Sequence, residues 1–563
     1  MTVTDLYKYW LNQSLPNYLT EELTTITEDQ KAIEDRFYQF VSFGTGGMRG
    51  VLGAGTNRMN IYTIRRVAEG LARFVASNGE EAKKRGVVIA YDTRHFSYEF
   101  AVETATVLGK HGIQSYVYKE SRPTPQLSFT VRELNAFAGV VITASHNPKQ
   151  YNGFKVYGED GAQLVPSGAK AIIEHMNDIA DIFGIEVADA VQLEVAGTLT
   201  WILEELDAKF LNNLMTLKGD TQVDLNMKLV YTPLHGAGLV PITAGLKEFG
   251  FNEVHVVAEQ AIQDGAFPTV SYPNPEEAAA FKLAIELGEK VGADLLLATD
   301  PDADRLGVAV RNGEQYELLT GNQLGALLLN YILSTKQAAG ALPANGALLK
   351  TIVTSEMGAV IAGHYGVETI DTLTGFKYIA EKIAEFEQTG THTYLFGYEE
   401  SYGYLIETFA RDKDAVQVAL KVAEMAAYYA TKNQTLLDAL EELYKQFGYY
   451  KEALVSKVFE GKDGQEQMIA ILNSYRENTP AIIADTAVVR VEDYLTGIAM
   501  LPDGTTDEII LPRENVLKFF LADQSWIAIR PSGTEPKCKF YFGVVKETKV
   551  AAEQMIEKLH LYF

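Results

Sequence analysis

Three aspartates spaced two residues apart, Asp300, Asp302 and Asp304 in "DPDADR", follow the apolar run "ADLLLAT". Two like charges about 4 Å apart repel by roughly 4 kcal/mol at an effective dielectric near 20, so carboxylates converging from this loop require a cation. A calcium hand would need Gly at its sixth position and Glu at its twelfth, where this chain has Arg305 and Arg311. All-carboxylate ligation leaves magnesium as the best candidate, above all where a phosphate completes the coordination. A solvated acidic turn would carry the same letters.

Four further segments offer complementary chemistry. Ser145, in "TASHNPKQYNGFK" (143–155), lies just past the apolar run 139–142, which reads as a covered parallel strand. That places it at the strand edge where open α/β sheets put their chemistry. It lacks the G-x-S-x-G of a hydrolase elbow, and the structural alternative is a serine capping the next helix. "RPSGTEPK" (530–537) groups Arg530, Ser532, Thr534 and Lys537 around Gly533, a set of cations, hydroxyls and free amides able to cradle phosphate, without Walker spacing. "GYEESYGY" (397–404) presents Glu399, Glu400 and Ser401, suited to sugar hydroxyls; adjacent glutamates diverge in an extended loop and do not make a glycosidase pair. "FGTGGMRG" (43–50) is a glycine-rich loop with one cation, Arg49, and flexible linkers look the same. Together the clusters describe phosphoryl transfer to or from a sugar, with the Ser145 oxygen as carrier.

The elements that must position them read as repeated α/β. "GVVIA" before "YDTR", "GVVITA" before "SHNP", "KLVYT" before "PLHGAG" and "ADLLLAT" before "DPDADR" are strands with loops at their C-terminal ends. "RRVAEGLARFVAS" (65–77) has helical spacing, and "PEEAAAFKLAIELGEKVG" (275–292) opens with Pro and acids as a helix does. The strand "SWIAIRP" and the helix "ETKVAAEQMIEKLHLYF" belong to a last, smaller α+β unit. With 563 residues the chain exceeds one core, and the expected architecture is three similar α/β domains and this fourth one, with boundaries near residues 205, 320 and 455.

Hydrophobic residues are 47% and charged residues 22%, the mix of a soluble globular protein. A formal charge of -25 disfavours nucleic-acid and anionic-membrane partners, so a phosphorylated substrate must be met by a local basic pocket. The single cysteine, Cys538, excludes an intrachain disulfide and suits a reducing compartment. The N-terminal segment has neither signal-peptide nor transit pattern, and the cytoplasm is the expected location.

The four ordered segments "TASHNP", "DPDADR", "GYEES" and "RPSGTEPK" resemble those of the α-D-phosphohexomutases, which include phosphoglucomutases and phosphomannomutases. "GYEESYGY", "TGFKYI" and "RDKDA" are most similar to the long phosphoglucomutase branch that also holds phosphopentomutases. The resemblance implies a serine phosphorylated in the active enzyme and a glucose 1,6-bisphosphate intermediate and activator between glucose 1-phosphate and glucose 6-phosphate, with pentose and mannose phosphates as alternative substrates. It implies one Mg2+ held by Asp300, Asp302, Asp304 and a phosphoserine 145 oxygen. It further implies four domains around a central cleft, in which Arg49, His146, Lys155 and Lys413 would surround the reacting phosphate, with Lys155 or Lys413 as acid or base. On the same resemblance Thr374, Gly375, Lys377, Glu399, Ser401 and Arg305 would bind substrate, and Arg530, Ser532, Gly533, Thr534 and Lys537 would grip the phosphate not undergoing transfer. Two features depart from the common pattern: "GTGGMRG" stands where many relatives have "GTSGLRG", and no His follows the sugar loop. Small-molecule sugar phosphates are the implied partners of a monomer or homodimer. The rival classes are a magnesium phosphatase, which would leave Ser145 unexplained and lacks a Thr after Asp304, and a sugar-phosphate-binding regulator without catalysis.

Overall fold

The computed structural model describes residues 1–44, 47–219, 223–459, 461–531 and 537–563, with the side chains of 461–466 left aside. Three α/β sheets follow one another along the chain. The first has strands β1 (Gly47–Val51), β2 (Val87–Tyr91), β3 (Ser115–Tyr118), β4 (Ala138–Ile142), β5 (Tyr151–Tyr157) and β6 (Leu199–Ile202), in the order β1-β5-β4-β2-β3-β6. β4, β2, β3 and β6 run parallel, while β5 lies antiparallel to both β4 and β1. The second sheet comprises β7 (Leu229–Thr232), β8 (Val254–Val256), β9 (Leu295–Thr299), β10 (Leu306–Asn312) and β11 (Gln315–Leu319), in the order β11-β10-β9-β7-β8. In the third, β12 (Gly346–Thr351) is flanked in parallel by β13 (Glu368–Thr372) and β14 (Thr393–Glu399).

After the short strand β15 (Gly403–Leu405), the C-terminal part is an antiparallel sheet whose first strand lies beside its last. β16 (Tyr449–Val458), β17 (Ile482–Ile483), β18 (Thr486–Asp493), β19 (Ile498–Met500), β20 (Thr506–Glu508), β21 (Leu517–Leu521), β22 (Trp526–Pro531) and β23 (Lys537–Lys546) pair antiparallel, and the helix Lys549–Tyr562 covers one face. Cys538 is buried in β23.

The chain packs as two compact units. One contains Met1–Leu319, Ala380–Glu385 and Tyr402–Thr431; the other contains Thr320–Ile379, Phe386–Ser401 and Lys432–Phe563.

Every residue of β2, β4 and β9 is buried, which accounts for their unbroken apolar sequences: helices cover both faces of a parallel sheet. Each fully buried Val, Leu or Ile contributes about 1.5–3 kcal/mol relative to exposure. The helix read at 65–77 runs Ile61–Ser77; Asn60 caps it by accepting from Tyr62 and Thr63 amides while Thr63 Oγ1 accepts from the Asn60 amide.

The helix expected from Pro275 instead begins at Lys282. Asn274 turns the chain, its side chain accepting from Glu276 N at 3.2 Å, and a 3-10 turn over Ala278–Phe281 precedes the helix. A side chain that bonds its own backbone competes with helix formation, and here it wins. Three N-terminal helices, Val3–Leu11, Asn17–Thr25 and Gln30–Phe37, form an aromatic-rich cluster against the Ile61–Ser77 helix. Among the described residues no helix is long and apolar enough to cross a membrane.

Candidate active site

Ser145 stands three residues past the end of β4, in a turn that leads into β5 and caps no helix. Its φ is +51°, in the left-handed region. Thr143 Oγ1 accepts from the Ser145 amide at 2.8 Å and donates to Asp92 Oδ2 at 2.6 Å.

The fully buried guanidinium of Arg94 holds the rest of the turn. It donates to the carbonyls of Ser145, Asn147, Pro148 and Tyr151, the last two at 2.8 and 3.1 Å, and lies 3.2 Å from Asp92 Oδ2. The ring of Phe267 covers it at 5.0 Å. The Ser145 hydroxyl donates to Asp300 Oδ2 at 2.6 Å and sits 3.3 Å from His146 Nδ1. Burial, with Arg305 and Arg49 nearby, pushes the His146 imidazole well below its ordinary pKa, so it is neutral near pH 7. Arg49, on β1 opposite Gly153 of β5, donates to Asn147 Oδ1 at 3.1 Å.

The three aspartates converge. One oxygen from each lies within 4.8 Å of the others, and all three residues are buried. In each residue at least one oxygen is held by the protein. Asp300 Oδ1 accepts the amides of Asp304 and Arg305, both at 3.1 Å. Asp302 Oδ2 accepts Thr124 Oγ1 at 2.8 Å and Lys155 Nζ at 3.0 Å, and Asp304 Oδ2 lies 3.0 Å from Lys413 Nζ and 3.4 Å from Lys155 Nζ. Asp302 Oδ1 and Asp304 Oδ1 are buried with no hydrogen-bond partner among the described residues.

Buried anionic oxygens without a donor fit a cation, and an all-oxygen set suits a hard divalent one. Burial first, then Asp302 and Asp304, hold the Asp300 carboxyl above its ordinary range. Burial would also raise Asp304, but the Lys413, Lys155 and Arg305 cations outweigh it and keep that carboxylate ionised. Lys413 is flanked on its other side by Asp412, 3.4 Å away, whose Oδ2 accepts the Tyr157 hydroxyl at 2.8 Å. Arg305 is ion-paired with Glu276.

The loop after β7, read from sequence only as a strand end, braces the aspartates. Ala237 N donates to Pro301 O at 2.8 Å, and a Cβ on Gly236 would fall 2.5 Å from Pro301 Cα, so only glycine fits. His235 fixes this loop through Nδ1 to Ile262 O at 2.7 Å and Nε2 to Thr269 Oγ1 at 2.8 Å. Thr124, Asp92 and Arg94 were likewise absent from the sequence reading of the site. "YDTR" at a strand end was the local signal for Asp92 and Arg94, and Thr124 had none.

The other unit carries the second set. Gly375, at φ +117°, opens the helix Phe376–Thr389, and its amide donates to Glu399 Oε1 at 3.0 Å. Glu400 turns the other way, its Oε2 accepting from Thr351 and Thr354 hydroxyls at 3.2 and 3.3 Å. Thr374 Oγ1 is buried with no hydrogen-bond partner among the described residues, Lys377 Nζ lies 5.1 Å from the Tyr378 ring centroid, and Ser401 is half-buried. Arg530, at the end of β22, is gripped by Glu514 Oε1 through Nε at 3.1 Å and Nη2 at 2.9 Å. Lys537 opens β23, and Lys539 is the register partner of Arg530. Ser532, Gly533 and Thr534 lie outside the described residues.

Four models of the phosphoglucomutase/phosphomannomutase family match in order: alpha/beta/alpha domain I at 41–182, domain II at 208–313, domain III at 320–447 and the C-terminal domain at 484–558. The chain belongs to this family. A phosphoglucomutase of Staphylococcus haemolyticus is 40% identical over 516 residues, covering 91% of each chain. Among solved structures, a phosphoglucomutase/phosphomannomutase family protein from Burkholderia thailandensis has a TM-score of 0.67 at 18% identity, over 92% of this chain and 96% of that one. The phosphoglucomutase parafusin from Paramecium, in an open form, has 0.66 at 17% identity, over 92% and 94%. At those identities the structures establish the shared fold. The four-domain α/β architecture expected from the sequence is that of the phosphoglucomutase/phosphomannomutase family, and its domain I and II models contain the Ser145 and Asp300 loops.

Proposed function

We propose that the chain is a phosphoglucomutase that interconverts glucose 1-phosphate and glucose 6-phosphate through phosphoserine 145 and a bound glucose 1,6-bisphosphate, with domains divided near residues 205, 320 and 455. The observation that carries the mechanism is the 2.6 Å bond from Ser145 Oγ to Asp300, at the head of three buried carboxylates, two of whose oxygens have no hydrogen-bond partner among the described residues. The sugar assignment rests on the name carried by relatives about 40% identical along nine-tenths of the chain.

In the first half-reaction phosphoserine 145 transfers its phosphoryl group to the free hydroxyl of the sugar monophosphate. In the second, after the bisphosphate has turned around, its other phosphate returns to Ser145. Lys155 or Lys413, each an ammonium held against the aspartates, is the acid or base at the hydroxyl. As it stands it can give a proton to the sugar oxygen, and it can take one only after giving up its own, while Arg49 supplies positive charge at the Ser145 loop. Glu399 and Ser401 would meet sugar hydroxyls, and Arg530 with Lys537 the phosphate that stays. A Mg2+ ion held by Asp300, Asp302 and Asp304 would offset charge on the transferring group.

The test is conversion of glucose 1-phosphate with Mg2+ and a trace of glucose 1,6-bisphosphate, beside mannose and ribose 1-phosphates. Preference for glucose is expected. Preference for ribose would reassign the substrate and keep the mechanism, while release of inorganic phosphate without isomer would overturn the mutase.

A further inference from the structure

Asp302 has two oxygens in different company. Oδ1 is buried with no hydrogen-bond partner among the described residues, whereas Oδ2 accepts from Thr124 Oγ1 at 2.8 Å and from Lys155 Nζ at 3.0 Å. Thr124 is fully buried and lies 178 positions upstream, at the first turn of the helix Thr124–Glu133, outside the loop that carries the aspartates. Its amide also donates to the Asp302 carbonyl at 2.9 Å, so one residue fixes both backbone and side chain of Asp302. Pro123 and Pro125 flank it, and their rings fix φ on either side. Lys155 divides its ammonium between Asp302 and Asp304 at the end of a flexible stem. The threonine hydroxyl has one proton, and it goes to Asp302.

We propose that Thr124 is a positioning residue for the metal: its hydroxyl holds Asp302 Oδ2 turned away, so that Oδ1 alone faces the cation. The proposal rests on the reading that the three aspartates bind a divalent ion. Single-oxygen ligation suits a small ion with strict octahedral demands, whereas a carboxylate free to rotate can offer both oxygens and relax that geometry. Outer partners of this kind typically change metal affinity by 10–100-fold when removed.

The experiment is Mn2+ titration, followed by electron paramagnetic resonance, of the full-length protein and its Thr124→Val and Thr124→Ser variants. Valine keeps the shape and the amide bond and removes only the hydroxyl. We expect the Mn2+ Kd to rise about tenfold in Thr124→Val and to return to near wild type in Thr124→Ser, and turnover lost by the valine variant to recover at high Mg2+. Thr124→Ala, which adds no bulk, carries the same test should valine disturb folding. Unchanged Mn2+ affinity in a folded hydroxyl-free variant would overturn the role of Thr124. Absence of Mn2+ binding by the wild type would overturn the metal reading itself, and the inference with it.

Discussion

A serine in a left-handed turn costs about 1 kcal/mol or more, and Ser145 is held there by the Thr143 hydroxyl on its amide and the Arg94 guanidinium on its carbonyl. Arg94 meets four carbonyls and Asp92 with a planar fork, a geometry that a lysine ammonium cannot reproduce. Arg94→Lys therefore keeps the charge but leaves buried carbonyls unpaired. We expect a stability loss of about 1–3 kcal/mol by urea denaturation, with slower phosphorylation of Ser145 by glucose 1,6-bisphosphate in single-turnover experiments. Ser145→Ala separates chemistry from scaffold: it removes the carrier oxygen and its contacts with Asp300 and His146 while leaving the backbone bonds of the turn, so turnover should fall to near zero while the circular dichroism spectrum and midpoint stay close to wild type. Undiminished turnover would end the carrier assignment.

The helix Ala415–Ala430 carries almost all of its residues inside, and its cap is a buried carboxylate. Asp414 accepts from the amides of Val416 and Gln417 through Oδ1, while Oδ2 is buried with no partner among the described residues. Burial pushes its pKa up to about 7. The folded state then binds a proton that the unfolded chain releases near its ordinary value, so this group's contribution is full at acid pH. It is lost as pH rises from about 4 to 7, by an amount on the order of a few kcal/mol. Asp414→Asn keeps a good cap without the titration. The difference in unfolding free energy between variant and wild type should therefore grow with pH across that window; a pH-independent difference would show that Asp414 is ionised throughout.

Elements of this sort also mark what the sequence could and could not disclose. Strands buried on both faces, and the polar clusters at their ends, were legible because apolar runs and loop residues are local signals. The partners that orient the aspartates were not. Thr124 reaches Asp302 across 178 positions, Arg94 reaches Ser145 across 51, and a pairing of that range leaves no periodicity to read. The misplaced start of the helix at Lys282 has the same origin in miniature: the letters Pro275, Glu276 and Glu277 suit a helix start, but Asn274 and Arg305 engage that segment differently.

Two compact units with separate cores should unfold in more than one step, and the proposed chemistry draws on residues of both. Ser145, the three aspartates, Lys155 and Lys413 all belong to the unit containing Met1–Leu319, whereas Glu399, Arg530 and Lys537 belong to the other. A ligand stabilises only the state it binds, by about 2.7 kcal/mol at one hundred times its Kd. On the proposed reading Mg2+ would neutralise buried carboxylates of the first unit, so calorimetry of the intact protein should show one transition that rises by a few degrees with Mg2+ and falls with EDTA, beside one that does neither. Glucose 1-phosphate without metal should instead act on the transition that Mg2+ leaves in place, through the cations of the second unit. An unchanged thermogram on metal removal would mean that the aspartates hold no ion, and the orphan oxygens of Asp302 and Asp304 would then need another partner.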